Sequence, residues 1–234
     1  MTDNSRPRIL VLAGRGRFED PWHDHAATSH RLALTLGALG DVEVRSAFRE
    51  SLDDLDAVDL LVLNLSCPKP GYLDANLDPE EWAGFYDVLD AWARAGGRIL
   101  AVHQSALAFP DEPRYEEILG GRWVEGISGH PPIGEMRLRL AVGTHPVTDG
   151  LTGVEAFDER YCDLRVGASS QVLGFVRDDE DEPHPALWVT AAHGGRTVYT
   201  PLGHDLRSYA SPTHQDLLVN AALWLLEPDR EHEG

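Results

Sequence analysis

Three short runs of this chain are apolar almost from end to end: Ile9–Ala13, Leu60–Leu65, in which Asn64 is the one polar member, and Ile99–Val102. A strand with one wet face alternates polar and apolar residues, whereas a run with no polar member must be covered on both faces. The runs therefore predict central strands of a parallel sheet with helices on either side. The third run opens after Gly96-Gly97 and stops abruptly at His103-Gln104-Ser105. In open α/β sheets ligands sit beyond the carboxyl ends of the strands, so His103 stands where chemistry is expected. The plainer alternative is a histidine that hydrogen-bonds a neighbouring loop.

The segments between the runs fit the same plan. Gly14-Arg15-Gly16 follows the first run and leads into a polar loop with Arg17, Phe18, Trp22, His23, Asp24 and His25. A helix is predicted from about Ala26 to Leu39. The two glycines do not make a dinucleotide fingerprint, because the third glycine is missing. Val42–Val44 reads as a short strand and Ser51–Asp56 as a short acidic helix. Asp78-Pro79-Glu80-Glu81 has the proline and acids of a helix start, with the helix running to about Ala95. This alternation of strand and helix predicts an α/β doubly wound, mostly parallel sheet flanked by helices.

Beyond His103 a short helix is expected at Arg114–Leu119. Glu135–Val142 alternates with period two, which puts Met136, Leu138, Leu140 and Val142 on one face. Strands follow at Val172–Val176, Ala186–Thr190 and Thr197–Thr200, the last two framing a Gly194-Gly195 hairpin turn. The final helix is predicted over Thr213–Leu226. No linker divides the chain, so residues 1–234 read as one domain, with 1–7 and 228–234 as flexible tails.

The balance of 20 basic and 39 acidic residues gives a net charge of −19, which repels phosphate backbones and argues against nucleic acid as a partner. No apolar run approaches the roughly 20 residues needed to cross a bilayer, so no membrane partner is expected. The polar start, Met1 to Arg8, lacks a secretory segment, and the two cysteines, Cys67 and Cys162, make no disulfide framework. A cytoplasmic location is expected. Trp82, Phe85 and Tyr86 would serve a homo-oligomer surface or the core equally well.

Several short motifs resemble, in order, those of the trehalose-utilisation ThuA-like family. They are Val102-His103, Tyr115 with Leu119-Gly120-Gly121, His130-Pro131, the segment His145 to Leu151, Asp158-Glu159-Arg160-Tyr161, Leu187-Trp188, the segment Gly195 to Asp205, and Asn220 to Trp224. The match is strongest from about residue 96 to 226. The resemblance implies a flavodoxin-like fold of the class I glutamine amidotransferase-like superfamily. In that superfamily the turn after the central strand carries a nucleophilic cysteine. Here the corresponding residues are Ala101-Val102-His103-Gln104-Ser105, so a histidine replaces the thiol and glutaminase chemistry is not expected. The resemblance also implies a sugar or keto-sugar, of the disaccharide class, as the small-molecule ligand. A non-catalytic metabolite-binding or assembly protein on the same scaffold is the alternative.

The candidate chemistry gathers at the same strand ends. If the strand ending at Thr200 lies beside the one ending at Val102, His204 and His103 converge, with Asp205 able to orient His204. His103, His204, Glu159 and Asp205 are the catalytic candidates. Arg17, Trp22, His25, Gln104, His130 and Tyr161 are the candidate substrate contacts, since sugars are held by polar groups with an aromatic face against the ring. No cofactor is called for. A divalent metal stays open, through His25 with His103 and His204, because His23-Asp24-His25 alternates ligand types although no tight zinc spacing is present.

Overall fold

The computed structural model describes residues 6–68 and 78–228. In chain order its strands and α-helices are β1 (Arg8–Ala13), α1 (His25–Leu36), β2 (Asp41–Ser46), β3 (Leu60–Asn64), α2 (Ala83–Arg94), β4 (Arg98–Val102), α3 (Arg114–Leu119), β5 (Gly121–Arg122), β6 (Gly134–Leu140), β7 (Val154–Asp158), β8 (Arg165–Val166), β9 (Gln171–Arg177), β10 (Pro183–Thr190), β11 (Arg196–Thr200) and α4 (Pro212–Leu226). Nine of these strands form one sheet in the order β2-β1-β3-β4-β11-β10-β9-β6-β7. The first five are mutually parallel, and the sheet then continues antiparallel through β10, β9, β6 and β7. β5 and β8 make a separate two-stranded ribbon.

The three apolar runs are β1, β3 and β4, side by side in the parallel block. Alternate side chains from each enter opposite cores. Ile9, Val11, Leu60, Val62, Leu100 and Val102 pack with Leu32 and Leu36 of α1 and Leu217 and Leu218 of α4. Leu10, Leu12, Leu61, Leu63, Ile99 and Ala101 pack with Phe85 and Leu89 of α2 and Ile118 and Leu119 of α3. Burial on both faces is why these strands are apolar between their ends, where Arg8, Arg98 and a buried Asn64 bonded to Thr28 and Ser29 are the exceptions. Edge strand β2 instead mixes exposed and half-buried positions.

Three expectations are corrected and one open choice is decided. Ser51–Asp56 is not a helix: the Ser51 hydroxyl binds the backbone of Ser46 and Phe48, and only Leu55–Ala57 forms a 3₁₀ turn. Such side chain–backbone bonds compete with helical pairing. Val142 does not share the buried face of β6, because the strand ends at Leu140 and Val142 is fully exposed. Of the two roles left open for Trp82, Phe85 and Tyr86 the structure has the core one, with packing against Phe18 and Phe109. In the expected N-terminal tail, Arg6 donates to the carbonyls of Gly37 and Gly40, each at 2.7 Å, and is thereby tied down. Residues 1–5 and 229–234 lie outside the described part, as does most of the loop after Cys67. No helix among the described residues is long and apolar enough to cross a membrane.

Candidate functional site

β4 leads into a sharp turn. His103 sits at φ +48°, in the left-handed region that residues with a side chain seldom adopt. The surroundings fix this conformation. The Tyr199 hydroxyl donates to the His103 carbonyl at 3.0 Å, and the Tyr115 hydroxyl donates to the Ser105 carbonyl at 2.9 Å. The His103 Nδ1–H donates to the Pro201 carbonyl at 2.7 Å. Because that carbonyl can only accept, Nδ1 carries the proton, and in the neutral ring Nε2 is a bare lone pair turned into the site.

Three segments close around that lone pair. From the β1–α1 loop, His23 places its Nε2 3.1 Å from His103 Nε2. Its Nδ1 lies 2.8 Å from the Asp20 carboxylate, which also accepts from the Trp22 amide and the Ser66 hydroxyl. After β7, Glu159 stands 3.5 Å from His103 Nε2 through one oxygen. Its other oxygen is 3.3 Å from His204 Nε2 and 3.6 Å from His130 Nδ1. Tyr161 stacks on His103 with its hydroxyl 3.1 Å from Nε2. From the turn after β11, His204 approaches with its ring centroid 4.4 Å from that of His23. β11 pairs in parallel with β4, Thr200 opposite Val102, which delivers the convergence of His103 and His204 expected from the sequence.

Asp158 clasps the last two segments together. It is buried, and its carboxylate accepts from the amides of Gly203 (2.7 Å) and Glu159 (2.8 Å). Gly203 has φ +139° and no room for a side chain, with the Tyr209 hydroxyl 2.8 Å from where a Cβ would lie.

Charge in the cluster is strongly coupled. Burial pushes the Glu159 carboxyl up, but the His103 and His204 imidazoles, in their protonated forms, outweigh it and hold the group well below the usual carboxylate range. Burial likewise raises Asp20, and the hydrogen bond with His23 overrides it, leaving a firm carboxylate. Burial lowers His23 beneath its ordinary value. His204 moves the other way, because its pairing with Glu159 outweighs desolvation. Burial raises Tyr161 far above the usual phenol range, so it stays a protonated donor. The result is a fixed anion, a neutral imidazole, an imidazole that gains protons readily and a phenol within one small space. This set can bind hydroxyl groups and exchange protons with them.

Not every candidate joins it. Arg17, itself buried over the Phe18 and Trp82 rings, turns to the partly exposed carboxylate of Asp111 at 2.7 Å. His25 heads α1 with its Nδ1 against the His23 carbonyl and its ring 6.0 Å from that of His23. Burial drives it down to about 4. Within the three-histidine set it is His23, not His25, that meets His103 and His204. Asp205 stands 3.5 Å from His204 Nδ1 but also chelates Arg207. Gln104 is buried and reaches the cluster only through Asp20, to which its side chain hydrogen-bonds. Trp22 is 67% exposed, so it does not plug the space. Together with Asp20, His23 and His25 it lines a pocket of about 480 Å³ at the carboxyl end of β1. Asp20 was missed from the sequence, and Asp158 was noted only as part of the segment Asp158-Glu159-Arg160-Tyr161. The only available signal for Asp20 was its i, i+3 spacing to His23.

A histidine at the elbow, with a carboxylate and further histidines across from it, stands beside a family assignment over nearly all of the chain. The profile described as ThuA, trehalose utilisation, matches residues 8–225. The chain belongs to the ThuA family. Among solved structures, a ThuA-like protein from Parabacteroides merdae ATCC 43184 superposes with a TM-score of 0.77 at 18% identity, covering 97% of this chain and 93% of that one. A β-galactosidase from Bacillus circulans sp. alkalophilus contains the same fold, with a TM-score of 0.61 and 14% identity over 95% of this chain but 31% of its own. A candidate GMP synthase component from Thermoplasma acidophilum matches at 0.53 and 13% identity, covering 94% of this chain and 96% of that one. No curated protein matches the chain. The ThuA assignment and these neighbours bear out the amidotransferase-like α/β fold. In the segment from His145 to Leu151, His145 Nδ1 accepts from the Val147 amide and the ring packs edge-on against Trp224.

Proposed function

We propose that this ThuA-family protein binds and transforms a sugar or keto-sugar of the disaccharide class in carbohydrate utilisation, at the His103–Glu159–His204 cluster. The observation that carries the reading is Glu159, a buried carboxylate held within 3.6 Å of three imidazoles at the carboxyl ends of the strands. A stability-driven core would not retain such a concentration of ionisable groups. Glu159 would accept a sugar hydroxyl, and His204 would give or take the proton that hydrolysis or isomerisation requires. The Tyr161 phenol would donate to a carbonyl oxygen, and exposed Trp22 would lay its face against the pyranose ring. With an imidazole at the elbow, and Cys67 and Cys162 elsewhere, thiolate attack on glutamine is not part of this chemistry. The acidic surface fits a cytoplasmic enzyme that meets neither nucleic acid nor membrane.

The test is thermal and urea unfolding with trehalose, other disaccharides and their 3-keto forms, followed by NMR of the mixtures. A ligand at about 100 times its Kd raises stability by about 2.7 kcal/mol. That increment is expected to vanish in Glu159→Gln and His204→Ala. Binding without turnover would move the protein to the non-catalytic class, and no shift with any sugar would sink the reading.

A further inference from the structure

The hydrogen-bond pattern around His103 leaves a charge problem at its centre. His103 Nδ1 faces a carbonyl and His23 Nδ1 faces a carboxylate, both acceptors only. Each neutral ring must therefore carry its proton on Nδ1 and point a bare Nε2 inward. Those two nitrogens are 3.1 Å apart, with a Glu159 oxygen 3.5 Å from His103 Nε2. Tyr161 can donate to one lone pair and leaves the others facing each other. Three converging lone pairs in a buried site need a cation among them.

The spacing suits one particular kind. Two donors each about 2.1 Å from one ion at a near-tetrahedral angle stand about 3.4 Å apart, against 3.1 and 3.5 Å here, and all three atoms lie within 4.8 Å of one another. Both rings also have the orienting partners that metal-bound imidazoles use, a carboxylate for His23 and a backbone carbonyl for His103. We propose that His23 Nε2, His103 Nε2 and the Glu159 carboxylate form a three-ligand site for one divalent transition-metal ion of the zinc class. Nitrogen ligands select such an ion over magnesium or calcium. Three protein ligands leave a fourth position open, and expansion to five-coordination would let the ion hold adjacent hydroxyl and carbonyl oxygens of a keto-sugar. That last step deepens the sugar reading and rests on it; the metal site does not.

The experiment starts with full-length protein stripped by chelator, titrated calorimetrically with Zn²⁺ and spectroscopically with Co²⁺. One Zn²⁺ per chain is expected, with visible d–d absorption from Co²⁺ and no response to Mg²⁺ or Ca²⁺. Asp20→Asn, which loosens the orientation of His23, is expected to weaken Zn²⁺ binding roughly 10–100-fold. His23→Ala and Glu159→Gln are expected to weaken it further still, and exposed His30→Ala not at all. Far-UV circular dichroism checks that each variant is folded. Zn²⁺ binding unchanged in folded His23→Ala or Glu159→Gln would overturn the site. So would the absence of Zn²⁺ and Co²⁺ binding to the wild-type protein, which would mean that a shared proton joins the histidines. The sugar titrations are repeated in chelator. A sugar shift that survives without any metal binding removes the metal and keeps the sugar. Stoichiometric Zn²⁺ without any sugar shift does the reverse.

Discussion

The two edges of the parallel block are built on opposite rules. At the carboxyl edge, the turns after β4 and β11 bring histidines and carboxylates together, and buried polar atoms face one another across the chain. At the amino edge, backbone meets backbone. Gly195 packs so tightly that a Cβ would lie 2.0 Å from the Gly97 carbonyl oxygen and 2.6 Å from that of Ala93. A buried histidine is present there too, His193, but no hydrogen-bond partner for either ring nitrogen is found among the described residues. Burial alone therefore does not mark a functional histidine. What separates His23 and His103 from His193 is that their nitrogens are oriented by acceptors and aimed at a shared point.

The sharpest way to break this contrast is at the amino edge. Gly195→Ala is expected to cost about 3 kcal/mol of stability in urea unfolding, since the colliding atoms are backbone and cannot swing aside. Asp158→Ala, at the carboxyl edge, is expected to cost about 2 kcal/mol by stranding the amides it bonds. It should also lower sugar affinity, because it clasps the Glu159 and His204 segments. Asp158 behaving like an exposed acid in either assay would remove it from the site.

The histidines differ in their response to acid. Burial, aided by the charge of Arg94, lowers His193 from 6.5 to about 4. Between those values the unfolded chain binds the proton more readily, so this group costs nothing above its unfolded pKa and costs more as pH falls toward 4. At about pH 5 the cost is about 1–2 kcal/mol. His193→Leu is expected to recover that amount relative to its own difference from wild type at about pH 7.5. An equal difference at both pH values would show that His193 does not titrate as a buried base.

The smallest effect concerns the elbow. At φ +48° glycine is favoured over alanine, so His103→Gly is expected to be more stable than His103→Ala by about 1 kcal/mol. The opposite order, normal in helices and strands, would mean that the turn relaxes when the imidazole is removed.

The parallel block was legible because its causes are local. Apolar runs, Gly96-Gly97 and Pro79 state in a few residues where strands are buried on both faces and where helices stop and start. The same reading placed His103 at a strand end and the hairpin at Gly194-Gly195. It failed at Ser51 and Val142, where one hydroxyl and one strand end overrode the pattern. It chose His25 over His23 because a sequence shows which ligand types alternate, not which ring faces inward. His23 and His103 are 80 positions apart, and Asp158 meets Gly203 across 45. No local periodicity encodes such meetings. They depend on which strands become neighbours and on the direction of each turn, so the sequence alone determined the scaffold and the edge at which its polar residues gather. Only tertiary structure decided which side chains share the same few ångströms.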